Sequence, residues 1–408
     1  MLGALEPLQK IFKWEKLQTS SAIFTFNHQV SALLFIFCSL IVTAPIFTSS
    51  KIECVQSGAS RGRIEAVNSF CSTASLFIVE RTKEKTLPTL QELDQMKRGG
   101  HLGVVGPGIE PLNRDTKRVS RQNYLFLPVA ILLQGLSFYM LRAVWKLLES
   151  GRVKAVIQNP TETDPKLVAR KIIIKFNELV GRNQRFAVVN FVMELCSLLH
   201  TISIIYVNYI LLGYGIVTYV YDVLKFRISS EPVKIENIRY DPMDWLFPPL
   251  AKCRFLVHGV GGGIQNGDVL CSLPLNKFYD KIFFVLMSWL GVLLILNSLN
   301  LIHRSFQILF KRYRLLTSAI WLDQSWEKMK YVIGNMAYCD YLLLSQIMKN
   351  IDLLVGNELF SLLADQEKRA KESKKDVRMK RKAQKKAQKV KRMKEKLESL
   401  QRENDVGV

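Results

Sequence analysis

The chain has 408 residues, 49% of them hydrophobic and 23% charged, with a formal net charge of +22. That length suits two or three soluble domains, but a slightly positive mean hydropathy beside so large a charge implies that apolar and basic stretches are kept apart. Residues 366–398 alone hold sixteen Lys/Arg against five Asp/Glu, half of the whole excess, so the basicity belongs to a tail and not to a general nucleic-acid-binding surface.

In chain order, residues 1–28 form a charged, aromatic-bearing segment (Lys10, Lys13, Trp14, Glu15, Lys16), with Leu2, Leu5, Leu8 and Phe12 at near-helical spacing. Four apolar stretches follow. They are predicted as membrane spans at 29–47, 123–144, 186–212 and 281–302, each long enough to cross about 30 Å of hydrocarbon as a helix. Buried core helices would be shorter and would carry a polar stripe. No small-residue cleavage site follows the first span, which therefore reads as an uncleaved signal anchor. Four spans put both termini on one side. The tail is too charged to cross, and positive charge marks the cytoplasmic side.

The termini and the 145–185 loop, with nine Lys/Arg against four Asp/Glu, are thus expected to be cytoplasmic, and the 48–122 and 213–280 loops extracellular. The 48–122 loop has twelve basic residues, but it exceeds the length of about 60 residues above which loop charge stops deciding orientation. Pro128, lacking an amide donor, is predicted to kink the second span near its outer end. Glu194 is the carboxylate inside the third span, with His200 six residues on. An intramembrane ionisable group is a functional candidate, but six residues put the two on different helix faces. The expectation for Glu194 is a buried contact with Asn190 or Arg142. After the last span, 303–365 is predicted helical, and the basic tail 366–408 is predicted to be a long solvated helix with too little apolar content for a coiled coil.

This topology sorts the seven cysteines. Cys54 and Cys71 lie in the first outer loop with sixteen residues between them, and Cys253 and Cys271 in the second with seventeen between them. Cys38 and Cys196 fall in spans and Cys339 is cytoplasmic. Four cysteines in an oxidising compartment predict a disulfide framework; zinc would want a short C-x-x-C. Three connectivities are open, and spacing does not choose among them. No metal cluster, nucleophile–base pair or N-x-[ST] sequon is present, and the glycines at 259 and 261–263 lack the Lys-Ser/Thr of a phosphate loop. An enzyme is not indicated, and no cofactor is expected.

The second loop carries a family resemblance. LFPPLAKCRF (246–255) and GGGIQNGDVLCSLPLNKFYDKI (261–282) are similar to the innexin run of FPK-x-x-KC-x-F, G-x-IQ-x-x-D-x-LC-x-LPLN and K-I into the last span. VNSFC (67–71) and the GPG at 106–108 fit the first loop. The likeness extends over roughly residues 1–345. NYLFLP (123–128) departs from the innexin YYQWVP: Tyr124 and Pro128 match, while Asn123, Leu125, Phe126 and Leu127 differ. The chain thus resembles a divergent innexin, of the superfamily that includes pannexins.

That resemblance implies an all-α transmembrane fold, a four-helix subunit with disulfide-stapled extracellular loops of small β content and helical cytoplasmic regions. It implies a plasma-membrane gap-junction channel, in which a ring of copies, with or without other innexins, docks on the ring of an adjacent cell. It also implies crosswise pairing, Cys54 to Cys271 and Cys71 to Cys253, against bridges within each loop. The amino-terminal segment would enter the pore mouth, with Leu2, Leu5 and Gln9 as lining candidates, or lie on the membrane surface. An undocked pannexin-like channel and a non-conducting adhesive or modulatory protein are the alternatives. For the tail, anionic membrane lipid is one reading and plain solvation another; nucleic acid is not an expected partner.

Overall fold

The structure, a computed structural model, describes residues 17–48, 52–55, 61–73, 76–80, 117–120, 126–157, 164–213, 215–228, 242–258, 261–321, 325–334 and 336–405. The first span begins with α1 (Ala22–Thr25), passes through a π-helical turn (Phe26–Val30) and continues as α2 (Ser31–Thr48). The first loop contributes β1 (Glu53–Val55), α3 (Arg61–Thr73), β2 (Phe77–Glu80) and β3 (Lys117–Ser120). The second span is α4 (Leu127–Glu149), followed by α5 (Arg152–Ile157) and α6 (Pro165–Leu179). The third span is α7 (Gln184–Leu212). After it come α8 (Ile216–Ile228), α9 (Pro242–Leu246), β4 (Leu250–His258) and β5 (Ile264–Ser272). The fourth span is α10 (Asn276–Leu309), and the chain ends in α11 (Lys311–Trp321), α12 (Trp326–Val332), α13 (Tyr338–Met348) and α14 (Leu353–Asp405).

Four described helices are long and apolar enough to cross a membrane: Ala22–Ala44, Leu127–Glu149, Gln184–Leu212 and Asn276–Leu309. The first and fourth extend beyond the apolar runs, because helical hydrogen bonding continues into polar residues that hydropathy does not count. Pro128 is the second residue of α4, in the first turn. There the missing amide donor costs no intrahelical hydrogen bond, because the first amides of a helix have no partner within it. The tail has no boundary at 366 either. α14 starts at Leu353 and runs unbroken through the whole basic stretch.

The chain divides into two compact units. One comprises residues 21–147 and 193–301, with the apolar spans and the sheet. Its helical core includes Phe35, Phe138, Tyr219, Tyr279 and Leu290, all fully buried, with α8 contributing Ile216, Tyr219 and Val223 on one stripe. α2 and α4 approach closely at Gly135, where an added Cβ would lie 3.1 Å from both Phe35 and Ile36. Small residues allow this kind of contact between spans.

The five-stranded sheet in this unit runs in the order β1-β5-β4-β2-β3. Alternation sets its faces: Ala251, Cys253 and Phe255 on β4 and Val269, Cys271 and Leu273 on or just after β5 are buried together, as the two-residue period of a strand requires. β4 and β5 are joined across 259–263, where Gly262 has φ +77°, a backbone conformation glycine adopts without steric penalty.

The other unit holds residues 1–20, 148–192 and 302–408. α6 shows how its helices form. Asp164 caps the amino terminus by accepting from the Lys166 amide at 3.0 Å, Pro165 opens the helix, and Val168, Ala169, Ile172, Ile173 and Phe176 make the buried stripe. The turn after it, with Gly181 at φ +81°, is tied to α13: buried Asp340 accepts from the Gly181 amide at 3.1 Å and from Asn183 Nδ2 at 2.9 Å. Asn350 holds the backbone of Gln18 at two points, accepting from its N–H at 2.6 Å and donating to its carbonyl at 2.8 Å.

Gly135→Val is expected to destabilise the protein by about 1–3 kcal/mol through overpacking, read as a lower thermal midpoint in detergent. An unchanged midpoint would contradict the close α2–α4 approach.

Candidate functional site

The chemistry of the loops centres on α3, β1, β4 and β5. Cys54 on β1 stands directly opposite Cys271 on β5. Cys253 on β4 opposes Val269 and Ala251 opposes Cys271, so Cys54, Cys253 and Cys271 share one face of the sheet. α3 packs on that face through Val67 and brings Cys71 to it. The structure joins Cys54 to Cys271 and Cys71 to Cys253. Both bridges run between loops, over sequence separations of 217 and 182 residues.

The Sγ atoms of Cys54, Cys71 and Cys271 lie within 4.8 Å of one another. They are bridge sulfurs rather than the thiolates that ligate metals. Among the described residues Cys38, Cys196 and Cys339 are free thiols. In the chain-entropy picture, closing a loop of this size stabilises the fold by about 5 kcal/mol for the first bridge.

The loop motifs do physical work around these bridges. In VNSFC, Val67 fills the core, Cys71 makes its bridge, and Asn68 Oδ1 accepts from the Cys54 amide at 2.9 Å. In LPLN, Asn276 opens α10 and donates from Nδ2 to the Pro248 carbonyl at 2.7 Å, while the Leu273 amide donates to Pro249 at 2.8 Å. The last span is thereby fastened to the start of the β4–β5 hairpin. Asn68 and Asn276 were legible only as members of motifs; no spacing rule assigns them these bonds.

The spans contain a second polar system. Asn27, in the π-turn, donates from Nδ2 to Ser197 Oγ and, at 3.2 Å, to Asn297 Oδ1. Asn297 Nδ2 donates in turn to Thr201 Oγ1 at 3.1 Å. Gln134 and Asn208 exchange amide hydrogen bonds at 3.0 and 3.2 Å, and Trp289 Nε1 donates to Ser31 Oγ at 3.0 Å. These bonds link the first, third and fourth spans, the second to the third, and the first to the fourth. The π-turn buries Asn27, His28 and Gln29 in succession; such bulges recur at functional positions.

Of the intramembrane ionisable pair, Glu194 is buried in α7. His200 turns instead to α4, with Nε2 2.9 Å from Ser137 Oγ and its ring edge-on to Phe138 at 4.7 Å. Leu2, Leu5, Gln9 and Tyr124 lie outside the described residues.

Four apolar spans and a sheet cross-linked between two inter-span loops define a multi-pass membrane protein with a rigid loop frame. A family model described as Innexin matches residues 20–367. The chain is 29% identical over 372 residues to innexin inx2 of Drosophila melanogaster, covering 89% of this chain and 95% of that protein. It is 25% identical to Drosophila melanogaster innexin inx3, over 74% of this chain and 73% of the relative. For Drosophila melanogaster innexin shaking-B the identity is 24%, over 90% and 95%. The chain belongs to the innexin family.

Two measurements check the site. Peptide mapping without reductant is expected to recover Cys54 with Cys271 and Cys71 with Cys253; either intra-loop pair would contradict the frame. Asn297→Leu removes an acceptor from Asn27 and a donor from Thr201, and is expected to cost about 1–2 kcal/mol, visible as a lower melting temperature in detergent.

Proposed function

We propose that the protein acts as a gap-junction channel subunit: several copies form a ring around an aqueous pore, and two rings dock between neighbouring cells to pass ions and small metabolites passively. Family membership supports the channel reading. An oligomeric pore is supported by the packing of a single subunit, whose helix core is filled by Phe35, Phe138, Tyr279 and Leu290. An aqueous path therefore belongs between subunits. Apolar side chains such as Phe37, Leu133 and Ile295, each about 60% exposed, suit lipid or a neighbouring copy.

In this reading the sheet and its loops face outside, the helical unit and both termini are cytoplasmic, and the protein lies in the plasma membrane at cell contacts. The basic 145–185 loop and tail support that orientation through the positive-inside rule. The observation that carries the docking role is the disulfide frame. Exposed Leu256 on β4 and Ile264 on β5 sit on a hairpin held at its base by both bridges. Stiffening a surface before contact lowers the entropic cost of association. Partner innexins in the same or the opposing ring are compatible with this surface.

Paired-cell recording tests the proposal. Expression in both cells is expected to give junctional current, and Cys54→Ser with Cys271→Ser is expected to abolish it while the protein still reaches the surface. Current across the surface membrane without junctional current would favour an undocked channel. Altered junctional current only on co-expression with another innexin would favour a modulatory subunit.

A further inference from the structure

α14 is 53 residues long, yet only its first part is packed. Leu359, Phe360, Leu363 and Ala364 are buried in the unit that contains α6 and α12. Asn177 Nδ2 donates to Gln366 Oε1 at 3.4 Å, and Lys371 Nζ stands 4.5 Å from the Tyr331 ring centroid. From Glu372 to Glu395 every side chain whose position is described is exposed. Residues 375–394 hold eleven Lys/Arg and one acid, Asp376, over about 30 Å of helix at 1.5 Å per residue. At 3.6 residues per turn, the basic groups at 380–382, 385–386, 389 and 391–392 spread over about two-thirds of the cylinder's circumference.

This pattern specifies the kind of partner. Met379, Ala383, Val390 and Met393 fall on one narrow stripe, interrupted by Lys386, and all four are exposed. The stretch 372–395 has no aromatic residue, Leu or Ile. A helix bound in a protein groove presents large apolar anchors on one face, and a helix that inserts among acyl chains presents Trp, Phe or Leu. A second copy of this helix would bring like charges together. A diffuse anionic surface, which accepts the helix over a wide range of rotations, remains the complementary partner, and for a multi-pass membrane protein the polyanion always at hand is lipid.

We propose that residues 375–394 form a peripheral, electrostatic docking surface for membrane leaflets bearing anionic headgroups; the inner leaflet as its natural target rests on the cytoplasmic placement proposed above. Each basic residue near such a leaflet raises partitioning about fivefold, so engaging only part of the helix is sufficient for binding. The association depends on charge and is weakened by salt.

The full-length protein in phosphatidylcholine nanodiscs, mixed with separate vesicles, tests this independently of channel activity. Co-flotation with phosphatidylserine-containing vesicles is expected, with none for pure phosphatidylcholine vesicles, and it should fall at least tenfold between about 0.1 and 0.5 M salt. Amide exchange over 372–395 is expected to slow only with the anionic vesicles. A variant carrying K380Q, R381Q, K382Q, K385Q, K386Q and K389Q keeps helix propensity and is expected to lose at least tenfold in binding. Equal binding to neutral vesicles, no binding to anionic ones, or binding by the variant at the unsubstituted level overturns the proposal. Capture by polyglutamate without binding to anionic vesicles overturns it in favour of an acidic protein partner.

Discussion

Two disulfides on one face of a five-stranded sheet are the constraint on which the loop structure depends. The sheet draws β1, β2 and β3 from the first inter-span loop and β4 and β5 from the second. Neither loop makes it alone. Cys54–Cys271 locks β1 to β5, and Cys71–Cys253 fastens α3 across the same face to β4. The core between them is small, with Val67, Leu76, Ile78, Phe255 and Val269 beside the bridges, and small cores gain most from cross-links. Covalent closure adds to that burial, chiefly by restricting the unfolded chain.

Within the spans the problem is reversed. Apolar area is abundant but does not distinguish one helix from another, because lipid tails are as apolar as leucine. Side-chain amides and hydroxyls supply the discrimination. Asn27, Ser197, Asn297 and Thr201 form one set and Gln134 with Asn208 another, each buried and each joining particular helices. The stability of each bond is modest, but a different arrangement of the helices would leave these groups without partners in hydrocarbon. The π-turn aims three consecutive polar residues inward at the start of the first span.

The parts legible in the sequence were those governed by a local rule. Four helices followed from four apolar runs, and the disulfide framework followed from where the cysteines fell relative to those runs. The pairing did not: 253 and 271 look like a natural couple until β4 and β5 are aligned, when Cys253 faces Val269 and Cys271 faces Ala251. Only the innexin resemblance pointed to the crosswise pairing. Pro128 sits in the first turn of α4, a place that hydropathy located only loosely because the apolar run does not mark where the helix begins. Nothing in the sequence singled out Asn27, which precedes the first apolar run, because its partners Ser197 and Asn297 lie 170 and 270 residues away. The basic tail was legible as a helix but not as one element with the packed segment from Leu353.

This innexin is proposed to assemble into rings that meet through the cross-linked sheet. Single-particle imaging of the purified protein in nanodiscs or detergent tests it most directly. Closed rings of subunits, with pairs of rings apposed at the sheet-bearing loops, are the predicted result. Isolated monomers, or rings that meet only through the helical unit containing α14, would contradict it.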